Sequence, residues 1–303
     1  MTAYHFSYIL FLLYSNWSAI PTPIAGAEDG AITIGNGEDL LDTKSFWYLG
    51  GKNTDAVKDT FYFNTSEQIP VSQGPALIEE SCGHCAINTR SKFDHEIDED
   101  EVQIMVIGGN PSGSAWSSVT TYCKKFDENM CPEGELDEFK WTRFNDLNED
   151  RNGHSCTVFD HPVHGRSVLV SNGEKTNSTE IFLVQNCSQC MSDCDKVCSW
   201  SYDLNGEPIQ WIGLYSLINS AMVTLNGIPT IFGGMEYNLT SGETTSETNF
   251  VYEFEDTTSE DEGIIRWKHI PHPNMKSARQ RHTVVAVPMS FLCAEEEISS
   301  TER

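Results

Sequence analysis

The sequence has few basic residues: 19 Lys and Arg stand against 45 Asp and Glu, which gives a formal net charge of −26 and a pI near 4.5. A protein with this balance repels phosphate groups, so the composition argues against nucleic acids and anionic lipids as partners. Basic proteins and bound cations are the electrostatically compatible ligands.

Signatures of catalysis are also missing. The sequence contains no G-x-S-x-G elbow, no H-E-x-x-H pair and no glycine-rich phosphate loop followed by Lys and Ser or Thr. Acidic residues are so numerous that the paired carboxylates of a glycosidase cannot be singled out. We therefore predict a protein that is not an enzyme, with no catalytic residue, cofactor or metal.

Long apolar runs are scarce, and no segment after the N-terminus reaches the roughly 20 residues needed to cross a bilayer. Residues 1–27 contain no charged side chain apart from histidine, carry an apolar run over 6–14 and end in Ala25-Gly26-Ala27. This pattern predicts a cleaved secretory signal peptide, although its first residues lack the usual Lys or Arg. A single membrane anchor is the alternative, but the run is short for it. The mature protein is expected to be secreted, with no membrane span.

Cysteines and glycan acceptors fit an extracellular protein. Ten cysteines, an even number, all follow the signal peptide, which is typical of disulfide bonding. They are Cys82, Cys85, Cys123, Cys131, Cys156, Cys187, Cys190, Cys194, Cys198 and Cys293. Four N-x-S/T sites predict N-linked glycans on surface loops. These sites are Asn64, Asn177, Asn186 and Asn238.

A pair of small residues recurs after an apolar run. The pairs are Gly50-Gly51, Gly108-Gly109, Asn172-Gly173 and Gly233-Gly234, and their second members are 58, 64 and 61 residues apart. Even spacing of this kind indicates an internal repeat. Glycine permits a bend with positive φ after a strand that is buried on both faces, and Asn is the next most tolerant residue.

Other features keep the same period. A strand of small or β-branched residues precedes each pair from the second onward, with His84, His154 or Ser220 at its start, and a further such strand begins at His282. Aromatic strands with period-2 alternation follow the glycines, which indicates half-buried strands. A tryptophan comes next in three units: Trp141, Trp211 and Trp267. We expect the repeated histidines to be structural posts that bond a neighbouring backbone.

This pattern resembles the kelch repeat, in which four strands build one blade of a β-propeller. The resemblance covers residues 45–288 and departs from kelch where Asn172 replaces glycine, where the first unit lacks a tryptophan, and in a period longer than about 50 residues. It implies an all-β, kelch-like propeller of about four or five four-stranded blades. The tryptophans would fill the wedges between blades.

The resemblance also sets domain boundaries. A lead-in over 28–44 is followed by repeats at 45–81, 82–152, 153–218 and 219–280, a closing strand at 281–288 and a tail at 289–303. The closing strand would complete the first blade; residues 31–35 are the other candidate for that place.

Cysteine pairing follows from the predicted strands. Cys123 and Cys131 flank a loop that they would close, whereas the four cysteines near histidine-bearing strands would pair among themselves, with Cys293 tying back to Cys82 or Cys85. The cluster 187–198 offers four thiolates, which are also able to bind zinc, but its spacing matches no standard paired site, so disulfides are expected.

The segment from Asp146 and three long loops are the regions in which we looked for a binding function. The segment from Asp146 alternates Asp and Asn as a calcium loop does, but Arg151 stands where an EF-hand has glycine, so a solvated turn is expected. Acidic loops at 90–101 and 127–139, with the cysteine insert at 187–198, are the best candidates for contact with a partner. The predicted function is binding of an extracellular or cell-surface protein, a basic one being compatible, or a glycan. A galactose-oxidase-like carbohydrate enzyme and a structural matrix component are the alternatives.

Overall fold

The structure is a computed structural model that describes residues 8–13, 16–21, 31–34, 45–52, 58–64, 71–74, 76–89, 103–109, 119–123, 140–144, 146–183, 199–211, 213, 215–257, 264–270, 275–278 and 280. All regular elements in these ranges are β-strands, which confirms the all-β class. None of the described residues forms a helix that is long and apolar enough to cross a membrane.

The described residues form twenty-two strands. They are β1 (Tyr8–Leu13), β2 (Asn16–Pro21), β3 (Ala31–Ile34), β4 (Ser45–Leu49), β5 (Thr60–Asn64), β6 (Val71–Gln73), β7 (Cys85–Asn88), β8 (Gln103–Ile107), β9 (Val119–Cys123), β10 (Lys140–Phe144), β11 (Ser155–His161), β12 (Gly165–Ser171), β13 (Thr179–Leu183), β14 (Asp203–Leu204), β15 (Glu207–Pro208), β16 (Ser216–Ile218), β17 (Ala221–Leu225), β18 (Ile228–Phe232), β19 (Met235–Asn238), β20 (Glu243–Glu247), β21 (Val251–Asp256) and β22 (Ile265–Ile270).

Four sheets form the main series, and each is an antiparallel meander. The first sheet is β3-β4-β5-β6, the second β7-β8-β9-β10, the third β11-β12-β13 and the fourth β17-β18-β21-β22. A bridge between Ile181 and Ser201 puts residues 200–201 in the fourth-strand position of the third sheet. The smaller sheets are β1-β2, β14-β15 and β16-β19-β20.

The second strands of these sheets are buried on both faces. Ile104 to Ile107 in β8 are at most 4% exposed, and Val168 to Val170 in β12 are fully buried. The unbroken apolar runs of the sequence therefore mark strands that pack against a neighbouring sheet on each side.

Three cores join consecutive sheets, and each contains at least one buried tryptophan. Trp141 lies between the first and second sheets with Trp47 and Ile104, Trp200 lies between the second and third with Phe182, and Trp267 lies between the third and fourth. Large flat side chains thus fill the gaps between sheets.

Two sequence predictions need correction. The tryptophan of the third sheet is Trp200 and not Trp211, which is only partly buried and packs against Tyr252 and Trp267. The first sheet begins at β3, inside the expected lead-in, because Ala31–Ile34 pairs with β4 along its whole length. The strand in that position is thus the other candidate, within residues 31–35, and residues 281–288 lie outside the described part of the chain.

Candidate functional site

The repeated pairs form equivalent corners. Every residue of the four pairs has positive φ, between 56° and 64° at the first position and between 96° and 114° at the second. The end of the sheet series at which these corners lie is called the glycine end, and the opposite end the loop end. Asn172 keeps its corner by accepting a hydrogen bond from the amide of Leu217 on Oδ1 at 3.2 Å.

Each of the first three corners is tied to the start of the next sheet. The amide of Gly51 donates to the carbonyl of Ser81 at 2.8 Å, and that of Gly109 donates to Arg151 at 3.0 Å. A Cβ on Gly108 would lie 2.6 Å from Cε1 of His154. Glycine is required here because the next sheet approaches too closely for a side chain.

A second row of backbone bonds links the same segments. Gly83, Gly153 and Asn219 precede the first strands of three sheets, and all have positive φ. The amide of Gly153 donates to Gly83 at 2.8 Å, and the amide of Asn219 donates to Gly153 at 2.7 Å. The sequence analysis did not predict this row. The one sequence signal for it is the residue directly before each histidine or Ser220.

The repeated histidines are buried in the corners. His84 and His154 are at most 7% exposed, and neither ring nitrogen pair has a hydrogen bond of good geometry. Desolvation lowers the pKa of His84 to about 4, with the backbone of Leu49 opposing the shift, and lowers that of His154 to about 3, helped by the charge of Arg151. The expected backbone contacts are those with Leu49 and Ile107 of the preceding sheet, and each neutral ring also packs closely against a corner glycine. His282 lies outside the described residues.

The segment from Asp146, whose Asp and Asn spacing resembles a calcium loop, is organised around a buried ion pair. Arg151 and Glu180 are both fully buried and lie 3.0 Å apart, and Arg151 also donates to the carbonyls of Asn172 and Ser178. Asn148 donates its side chain to Glu180 and to the carbonyl of Trp200. These groups are engaged with protein, and no group of three metal-ligating side chains occurs among the described residues.

One disulfide lies in the described region. Cys85 of β7 is bonded to Cys156 of β11, so the first strands of the second and third sheets are covalently joined. Cys82 is buried and Cys123 lies in β9. The remaining cysteines fall outside the described residues: Cys131, Cys187, Cys190, Cys194, Cys198 and Cys293.

Two glycan acceptors have described side chains. Asn238 is the last residue of β19 and accepts the amides of Thr240 and Ser241 through Oδ1, which leaves its Nδ2 for a glycan. Asn177 is half-buried in the corner of the third sheet. Asn64 ends β5, and Asn186 lies outside the described residues.

Polar contacts hold the loop ends of three sheets together. His161, at the end of β11, lies 2.7 Å from Asp256, at the end of β21, and Arg166 donates to the carbonyl of Thr89, which follows β7. The Nδ1 atom of His161 accepts the amides of Val163 and His164, so its Nε2 carries the hydrogen and donates to Asp256. Both ring nitrogens are occupied, which makes this histidine a brace between sheets.

The acidic segments of the sequence join strands whose described ends lie at the loop end. Residues 90–102 connect β7 to β8, residues 124–139 connect β9 to β10, and residues 257–264 connect β21 to β22, all at the loop end. Together they hold 15 Asp and Glu residues against four Lys and Arg. The connections that leave the corners, 50–59, 108–118, 172–178 and 233–250, hold six against three. The charge of the connections is concentrated at the loop end.

Comparison with known proteins gives a likeness in structure only. No protein-family model and no curated protein matches the chain. Solved structures do match, 119 chains in all, and one of them is described as the structure of YjhT. It shares 11% sequence identity with a TM-score of 0.54, over 88% of this chain and 77% of that chain. At this identity the likeness concerns the fold alone.

Proposed function

We propose that this chain is a secreted, glycosylated, kelch-like β-propeller that acts without catalysis by binding a basic macromolecule at its loop end. The order of the sheets supports the architecture: each of the four packs on the next, and the corners repeat the same backbone contacts. A ring of such sheets gathers loops from every blade at one face.

The distribution of charge carries the functional part of the proposal. Segments 90–102, 124–139 and 257–264 place 15 carboxylates at one end of a rigid frame. A surface of one sign steers an oppositely charged partner and speeds association, an effect that weakens as salt rises. The insert 184–199, with its four cysteines, connects β13 to Trp200 at the same end.

The frame beneath these loops is suited to presenting a binding surface. The Cys85–Cys156 disulfide and the His161–Asp256 contact both tie neighbouring sheets, so loops from different sheets keep fixed separations. Disulfides are typical of extracellular proteins, which supports secretion. Variable loops on a rigid scaffold are a common solution for binding.

Affinity capture with two charge variants tests the proposal. The bait is the oxidised, secreted protein, and the variant D98N/E99Q/D100N removes three carboxylates from the loop end. The matched control E80Q/D150N/E243Q removes three exposed carboxylates from the glycine end. We expect the intact protein and the control to enrich the same basic protein from extracellular fluid, and the loop-end variant to bind it at least about tenfold more weakly, since each lost charge contact is worth about 0.5–1 kcal/mol.

Two results would contradict the proposal. One is enrichment of nothing beyond what a denatured bait retains. The other is equal loss of binding in both variants, because only net charge, and not the loop end, would then matter.

A further inference from the structure

Among the described residues, the fourth corner does not show the contacts that complete the other three. In the first three corners the second residue of the pair donates its amide to a carbonyl three residues before His84, His154 or Ser220. Among the described residues, the amide of Gly234 and the carbonyl of Asn219 have no such partner. Both groups point to a further sheet at this position.

One face of the fourth sheet is buried outside the core that it shares with the third sheet. Ala221 is paired with Phe232, and Phe232 with Val251, so these three residues share a face. Ala221 and Val251 are only 9% and 7% exposed, yet neither belongs to the core shared with the third sheet. A part of the chain other than that core therefore covers this face.

The chain itself leads to that place. The amide of Met275 donates to Asn249 at 3.0 Å, and Asn249 donates its side chain back to Met275 at 3.0 Å. Gln280 then donates to Glu247 at the end of β20. The last described residue thus lies next to the open corner, and the apolar stretch 283–287 follows directly.

We propose that residues 279–287 dock on the fourth sheet as the first strand of a further sheet. The spacing fixes the register: Arg279, Arg281 and His282 match Arg151, Gly153 and His154. The carbonyl of Arg279 accepts from Gly234, the amide of Arg281 donates to the carbonyl of Asn219, and the His282 ring packs on Gly233.

This docking replaces the idea that the same strand closes the first sheet, where β3 already stands. It is independent of the binding function.

The positions of the native disulfide show where two introduced cysteines should bond in the proposed interface. Cys85 lies one residue after His84, and Cys156 lies two residues after His154. The equivalent positions in the proposed interface are Ala221, one residue after Ser220, and Val284, two residues after His282. Cysteines at these two positions should bond as the native pair does.

The experiment expresses A221C/V284C as a secreted protein and maps its disulfides by mass spectrometry of unreduced peptides. We expect an intramolecular bond between the two introduced cysteines, formed as completely as Cys85–Cys156. In the control A221C/V285C the second cysteine alternates to the other face of the strand, and no bond to residue 221 is expected. Unlinked cysteines at 221 and 284 in a protein whose native disulfide is intact would overturn the proposal, and so would a bond between two copies.

Hydrogen exchange on the unaltered protein provides a second test. A bonded amide at Gly234 should exchange as slowly as those of Gly51 and Gly109, which donate to the neighbouring sheet. Exchange of Gly234 at the rate of an open loop would contradict the docking even if the cysteine variants failed to fold.

Discussion

The buried corner histidines make the protein sensitive to mild acid. In the folded state the pKa of His84 is about 4 and that of His154 about 3, whereas both are near 6.5 in the unfolded chain. The unfolded chain therefore binds protons first as pH falls below 6.5, and folding stability drops until the folded pKa values are reached. At pH 5 each histidine costs about 2 kcal/mol relative to neutral pH, at about 1.4 kcal/mol per pH unit.

Removal of one histidine isolates this effect. Urea unfolding at pH 7.5 and pH 5 gives the loss of unfolding free energy for the parent and for His154→Gln. We expect the variant to be less stable at pH 7.5, because packing is lost, but its loss between the two pH values to be smaller by about 2 kcal/mol. The control I107V, a core change of about 1 kcal/mol with no titrating group, should keep the loss of the parent. An equal loss in parent and His154→Gln would refute the reasoning.

Three further predictions concern buried contacts within and between sheets. R151M leaves Glu180 buried without its partner and should lower the unfolding free energy by about 3–5 kcal/mol. The double variant R151M/E180L should recover most of this loss. Equal stability of the two variants in urea would contradict the ion-pair account. T179V removes the acceptor of the Trp267 indole at 2.9 Å, so urea unfolding should show a loss of about 1–3 kcal/mol, and no change would show that the bond is unimportant. C85S/C156S opens a link across 71 residues and should cost about 4 kcal/mol in thermal or urea unfolding, with reductant then having no further effect through this link.

The repeat was readable from sequence because it rests on local backbone demands. At the corners, the positive φ and the close approach of the next sheet permit only glycine, or asparagine at position 172. These residues therefore recur in the sequence at the spacing of the repeat. The second strands are recognisable as unbroken apolar runs because both of their faces are buried. These features predicted the all-β class and the position of each corner.

Features that depend on neighbours in space were not readable. Trp211 follows the aromatic strand of its unit, as Trp141 and Trp267 do, and only the Ile181–Ser201 bridge shows that Trp200 holds the equivalent place. In the sequence Arg151 only breaks the pattern of a calcium loop. Its role in an ion pair was not predictable, because its partner Glu180 is 29 residues away. The first strand of the first sheet was uncertain because two segments of similar composition competed for it, and only β-pairing decides between them.

An experimental structure of the protein tests the central claim most directly, because it shows whether the sheets surround one axis. The account predicts that a single rotation, applied repeatedly, superposes the four corners at Gly51, Gly109, Gly173 and Gly234 with their backbone contacts, and that the loops at 90–102, 124–139 and 257–264 emerge at the opposite end. Sheets stacked as a sandwich, or corners that face unrelated surroundings, would contradict it.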